Sequence, residues 1–209
     1  MLREAIVRER HAFAETLRAV GPDAPTLVPA WTAHDVAAHV VSLDRLRGVP
    51  TFLGRTIVTR GVRLNDVAGR FADRGMQSSK RRGFGWVLDR LEQIPPELLL
   101  RGSVARVGLF EVFVHHEDVR RANRAQQPRV TPEELAEVVP WLLRYHRRLL
   151  QNVRLVVRTP AGVRTEGTGP EVTLEGPVAE VVLWLAGRRD ATDVEATGEA
   201  ALALEVLRI

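Results

Sequence analysis

The chain has 209 residues, 45% of them apolar but only 5% aromatic, so aliphatic side chains must build most of its core. It has no cysteine, which excludes disulfides, a thiolate nucleophile from the chain itself and every cysteine-based zinc site. A net charge of +4 and a pI of about 10.7 suggest nucleic acid at first sight, but Lys80 is the sole lysine and the arginines are interleaved with Asp and Glu. The short clusters Lys80–Arg82 and Arg144–Arg148 read as solvated helix faces or loops, so no nucleic-acid partner is expected. No run of eighteen apolar residues is present to cross a membrane. The N-terminus lacks the apolar core of a signal peptide, and a cytoplasmic protein is expected.

In chain order, residues 2–20 have helical periodicity, with Ile6, Phe13, Leu17 and Val20 on one side, and Gly21-Pro22 stops the helix. A second helix starts at Thr32, a capping residue with Asp35 three positions on, and ends at Gly48 and Pro50. Residues 51–83 read as a loop with a weak helix around 64–74, and 84–94 as a helix stopped by Pro95-Pro96. A long apolar helix is predicted over 103–124. Another is predicted over 132–151, with Thr131 as cap, Pro132 at its first position and Glu134 completing a capping box. After Asn152 the period changes to two: VRLVVRT and EVTLEG are strands, GVRTEGTGP between them is a hairpin arm, and PVAEVVLWLAG is a short helix. ATDVEATG reads as a last strand before a helical tail. Helices followed by strands imply an α+β chain, with a helical domain over 1–150 and a small α/β domain over 151–209.

The chemistry concentrates on two helices. At about 100° per residue, Glu111, His115 and Asp118 share one stripe with Val104, Val107 and Val114. Leu109 and Phe113 cover the opposite side, so the helix is apolar nearly all round and should be buried. A buried carboxylate and imidazole require partners. His39 lies with Val36, Leu43 and Leu46 on the inward face of the second helix. One His from one helix and a Glu-x-x-x-His from another make a two-histidine, one-carboxylate set suited to zinc with an open position, and equally to nickel, iron or manganese. Against this stands an ordinary core histidine at 39 and an ordinary i,i+4 contact between 111 and 115. Asp118 is either an orienting partner for a ligand or an ion-pair partner of Arg121. His34 is expected in solvent on the far side of its helix, His146 is expected to be solvated within RYHRR, and His11 and His116 show no inward grouping.

The run GPDAPTLVPAWTAHDVAAHV, the segment FEVFVHHEDVRRA and the C-terminal VTLEGPVAEVVLWLAGR with VEATGE together resemble the mycothiol-dependent maleylpyruvate isomerase-like, DinB-like metal-binding proteins. The resemblance covers nearly the whole chain and is weakest across 50–100. It implies a DinB-like four-helix bundle followed by a small sterol-carrier-like α/β domain. It also implies a divalent metal, usually zinc, on His39, Glu111 and His115, and mycothiol as a thiol activated at the open metal position. Arg188 in LWLAGR is the loose match for an arginine that faces the cleft in those proteins, where it would bind an anionic group. Relatives often carry Cys-Pro-Gly before the tryptophan, whereas Val28-Pro29-Ala30 precedes Trp31 here.

The function this implies is a metal-dependent thiol transferase or isomerase, acting on a small-molecule thiol and an electrophilic substrate. The alternative is a non-catalytic metal- or ligand-binding protein that retains the triad.

Overall fold

The computed structural model describes residues 1–44, 74–125, 130–146, 150 and 152–198. Its contacts divide the chain into two units, Arg3–Arg129 and Met1–Leu2 with Val130–Ile209. The first is helical and the second carries a four-stranded sheet, the α+β arrangement expected from the change of period.

The helical unit holds α1 (Leu2–Val20), α2 (Ala33–Leu43), helical residues 74–80, α3 (Phe84–Glu92), a 3-10 turn (Glu97–Leu100) and α4 (Gly102–Asn123). Thr32 caps α2 in a full capping box, its side chain accepting from the Asp35 amide while the Asp35 carboxylate accepts from the Thr32 amide. Lys80 reaches that same carboxylate at 2.5 Å, so the first residue of the basic cluster is an ion-pair partner and not merely solvated. The prolines at 95 and 96 follow α3, as expected. The proposed end of the second helix at Gly48–Pro50, the weak helix over 64–74 up to residue 73, and the helical tail lie outside the described residues. The core of this unit is aliphatic and includes Ile6, Leu17, Val36, Leu91 and Leu109, with Phe13 and Phe113 as its large rings.

The second unit opens with α5 (Pro132–Ala136) and α6 (Val139–His146), where the sequence predicts one helix. Pro140 explains the break: it lacks an N–H and its ring crowds the carbonyl four residues back, so the chain turns through Glu137–Val138 and restarts. Strands β1 (Arg154–Thr159), β2 (Gly162–Glu166), β3 (Glu171–Glu175) and β4 (Glu195–Thr197) lie in the order β2-β1-β3-β4. β1 is antiparallel to β2 and parallel to β3, and β3 is antiparallel to β4. The return from β2 needs Gly167 at φ +89°, where an added Cβ would fall 2.1 Å from the Val153 carbonyl oxygen. Helix α7 (Val178–Leu185) follows β3 and packs on α5, α6 and β1. Those contacts draw α5 and α6 to the sheet, which is why the chain divides at 129/130 and not near 150.

Candidate metal centre

Helix α4 brings Glu111 and His115 one turn apart, and α2 brings His39 against them. Glu111 Oε2 lies 3.7 Å from His39 Nε2 and 3.4 Å from His115 Nε2. One ligand atom from each residue falls within 4.8 Å of the other two. Both separations are too long for good hydrogen bonds, so the three groups do not satisfy one another. They converge on a common point.

Asp118 completes the arrangement. Its Oδ2 accepts from His115 Nδ1 at 2.9 Å, which turns Nε2 towards Glu111. Of the two roles open to Asp118, this is the orienting one, and Arg121 pairs with Glu117 at 2.6 Å. Burial opposes charge on His115, but the hydrogen bond to Asp118 and the nearby Glu111 carboxylate outweigh it and hold the imidazole up to about 9. Burial likewise opposes ionisation of Glu111, yet the adjacent His115 and His39 imidazoles hold the carboxyl well below the usual range. Glu111 faces the rings and Asp118 stands behind His115, and both carboxylates favour a positive charge between the rings. His39 Nδ1 is buried without a hydrogen-bond partner. The side chains of His39 and Glu111 remain 15% and 13% exposed, so the convergence point can be reached.

Trp31 closes one side, its ring centroid 5.4 Å from that of His39 and 6.4 Å from that of His115. A tight turn places it: the Trp31 amide donates to the Val28 carbonyl, Pro29 comes first in the turn, and Ala30 follows at φ 63°. This is the order of a type II turn, whose third residue is ordinarily glycine. Ala30 therefore sits in the left-handed region that favours glycine. Thr26 fixes the loop by donating to the carbonyl oxygens of Val28 and Trp31, and the Leu27 amide donates to the Asp118 carbonyl.

Beside Glu111 lies a cavity of about 70 Å³, partly open to solvent, formed by α1, α2, the 95–100 segment and α4. Sequence reasoning did not find it. The available sign was Gly108, a glycine inside a helix and three residues before Glu111.

Three other histidines depart from expectation. His34 is half-buried, its ring edge on Phe84 at 5.3 Å, and burial lowers its pKa. His116 is fully buried, with Nδ1 2.6 Å from Glu9 Oε1, Nε2 2.8 Å from Thr16 Oγ1 and its ring stacked on Phe13. His146 is buried as well, because it follows Val139 and Leu142 on the inward face of α6, and burial pushes its pKa down to about 4. Arg188 belongs to the sheet unit, where its Nη1 donates to the Ala186 carbonyl at 2.6 Å.

Residues 127–205 match the family model described as the MDMPI C-terminal domain. That is the family the sequence resembles. Two crystal structures are also similar, one of the mycothiol-dependent maleylpyruvate isomerase and one of a mutant of that enzyme. Each is 13% identical, with a TM-score of 0.48, over 93% of this chain and 91% of the other. No curated protein matches the chain.

Proposed function

We propose that His39, Glu111 and His115 hold a divalent cation, most simply zinc, and that the protein is a thiol transferase or isomerase acting with mycothiol on an electrophilic substrate. The observation that carries this reading is the convergence of two imidazole Nε2 atoms on one carboxylate oxygen at 3.4 and 3.7 Å. Zinc–ligand distances of about 2.0–2.2 Å in a tetrahedron put neighbouring ligand atoms roughly 3.4 Å apart. The donors therefore fit such an ion with little movement.

Such an ion, when bound, supplies Lewis-acid charge and lowers the pKa of a coordinated thiol. The remaining work falls to the chain. Glu111 and the two imidazoles present their donors from rigid helices, and Asp118 holds His115 in one orientation. Trp31 shields one side of the rings, so that approach comes from the cavity side. Arg188 is proposed to bind an anionic group of thiol or substrate, on the resemblance alone.

The test is a titration of mycothiol into zinc-loaded protein. Saturable binding that disappears in Glu111→Gln supports the reading. No thiol binding by zinc-loaded wild type would leave a metal-binding protein without transferase or isomerase activity.

A further inference from the structure

We infer that the cavity beside Glu111 receives the uncharged, apolar part of the electrophile, and that Gly108 sets its depth; this rests on the thiol chemistry proposed above. The position follows from helical geometry. Val104, Gly108, Glu111 and His115 run along one stripe of α4, and Val40 and Leu43 flank His39 on α2. Cavity and triad thus share Glu111 and one continuous face.

The lining determines the occupant. Among the described residues it is aliphatic except for the side chains of Arg10, Asp44 and Glu111. Arg10, the one cation among these described lining residues, is already engaged. Its Nε donates to the Leu91 carbonyl, Nη1 to Asp44 Oδ1, and Nη2 to both Asp44 Oδ2 and the Arg90 carbonyl. Four of the five guanidinium N–H groups are used. A carboxylate entering here would meet two acidic side chains and lose its water without an unengaged cation among the described lining residues to replace it. An apolar group meets mostly aliphatic surface, from Ile6, Val40, Leu43, Val104 and Val107.

Gly108 adds an independent observation. Glycine is among the poorest helix formers, yet this one lies inside a 22-residue helix at no unusual backbone angle. A Cβ there would stand 3.6 Å from Ile6 Cδ1 and 3.6 Å from the Leu99 carbonyl oxygen, both ordinary contacts. The backbone does not require glycine; what glycine leaves is space in the cavity.

The substrate class is therefore a neutral, carbonyl-conjugated alkene with an aromatic or branched aliphatic substituent. In the addition, sulfur bonds to the β-carbon, the carbon–carbon π bond breaks, and the thiol proton ends on the α-carbon. Atoms balance with no oxidant or reductant.

The experiment measures binding by calorimetry to the full chain, metal-free and zinc-loaded. The probes are benzylacetone, an unreactive neutral ketone, and hydrocinnamate, its anionic counterpart. The ketone is expected to bind at least tenfold more tightly than the anion in both forms. Gly108→Leu should weaken the ketone at least tenfold with zinc stoichiometry kept, and the smaller Gly108→Ala should weaken it a few-fold while preserving the helix. Equal or tighter binding of hydrocinnamate, or wild-type ketone affinity in both variants, overturns the assignment. Mycothiol binding by a protein that shows no ketone preference sinks the cavity assignment alone. Ketone binding without mycothiol binding sinks the thiol chemistry alone.

Discussion

Asp118 acts on the site without reaching it. Its carboxylate accepts from His115 Nδ1, and this fixes which ring nitrogen faces Glu111. Asp118→Asn keeps the shape but removes the charge, and zinc affinity is expected to fall about 10–100-fold with the fold intact. Competition with a chromogenic chelator measures it; unchanged affinity would make Asp118 merely structural. The neighbouring Glu9–His116–Thr16 chain has the acid–imidazole–hydroxyl order of a nucleophilic triad, but both Glu9 and His116 are 0% exposed, so no substrate reaches them. Its role is to hold α1 against α4. His116→Leu removes two core hydrogen bonds and should cost about 2–4 kcal/mol in urea unfolding; a loss below roughly 0.5 kcal/mol, the range of surface substitutions, would contradict this. His146 makes stability depend on pH. Its folded pKa of about 4 lies below the ordinary 6.5, so the unfolded chain takes up the proton first. Stability should therefore fall as pH drops from about 6.5 towards 4, by on the order of 3 kcal/mol from this group. His146→Leu should lose that part of the pH dependence, and an unchanged profile would rule the imidazole out as its source.

Among the elements, the turn before α2 is a small cost retained next to the site. Ala30 at φ 63° costs about 1–2 kcal/mol relative to glycine, against about 0.4–1 kcal/mol of extra chain entropy that glycine brings. Ala30→Gly is accordingly expected to stabilise the protein by about 0.5–1 kcal/mol in thermal unfolding, and destabilisation would show that the turn is not strained. Much of this architecture was legible. Thr32 with Asp35 and Thr131 with Glu134 specify helix starts through hydrogen bonds local in sequence, and the structure has both boxes. The stripe holding Glu111, His115 and Asp118 follows from periodicity alone. His116 lies on a second inward stripe: Leu109, Phe113 and His116 recur at helical spacing on the opposite side, and a helix apolar all round buries both. His146 was misread from its arginine neighbours, although Val139 and Leu142 mark its face as inward. Pro140 was present in the sequence, and its steric effect alone predicts the break between α5 and α6.

For the whole chain, the decisive fact is that the site joins residues far apart in sequence. His39 and Glu111 come together only when α2 and α4 pack, so periodicity could select each face but could not show that the faces meet. The Gly108 cavity was illegible for the same reason: α1, α2, α4 and the 95–100 segment all contribute its walls. Among the described residues no helix is long and apolar enough to cross a membrane, in keeping with the hydropathy of the sequence. A site formed only in the folded state binds its ion only there, so metal binding must stabilise the fold. The most direct measurement is zinc stoichiometry and thermal stability of wild type and His39→Ala, each with added zinc and with chelator. The account predicts one zinc per chain in wild type, with about 2.7 kcal/mol of added stability at a hundredfold excess over Kd. Chelator should remove that increment, and His39→Ala should show neither the zinc nor the increment. Equal zinc content and equal stabilisation in both proteins would contradict the central claim.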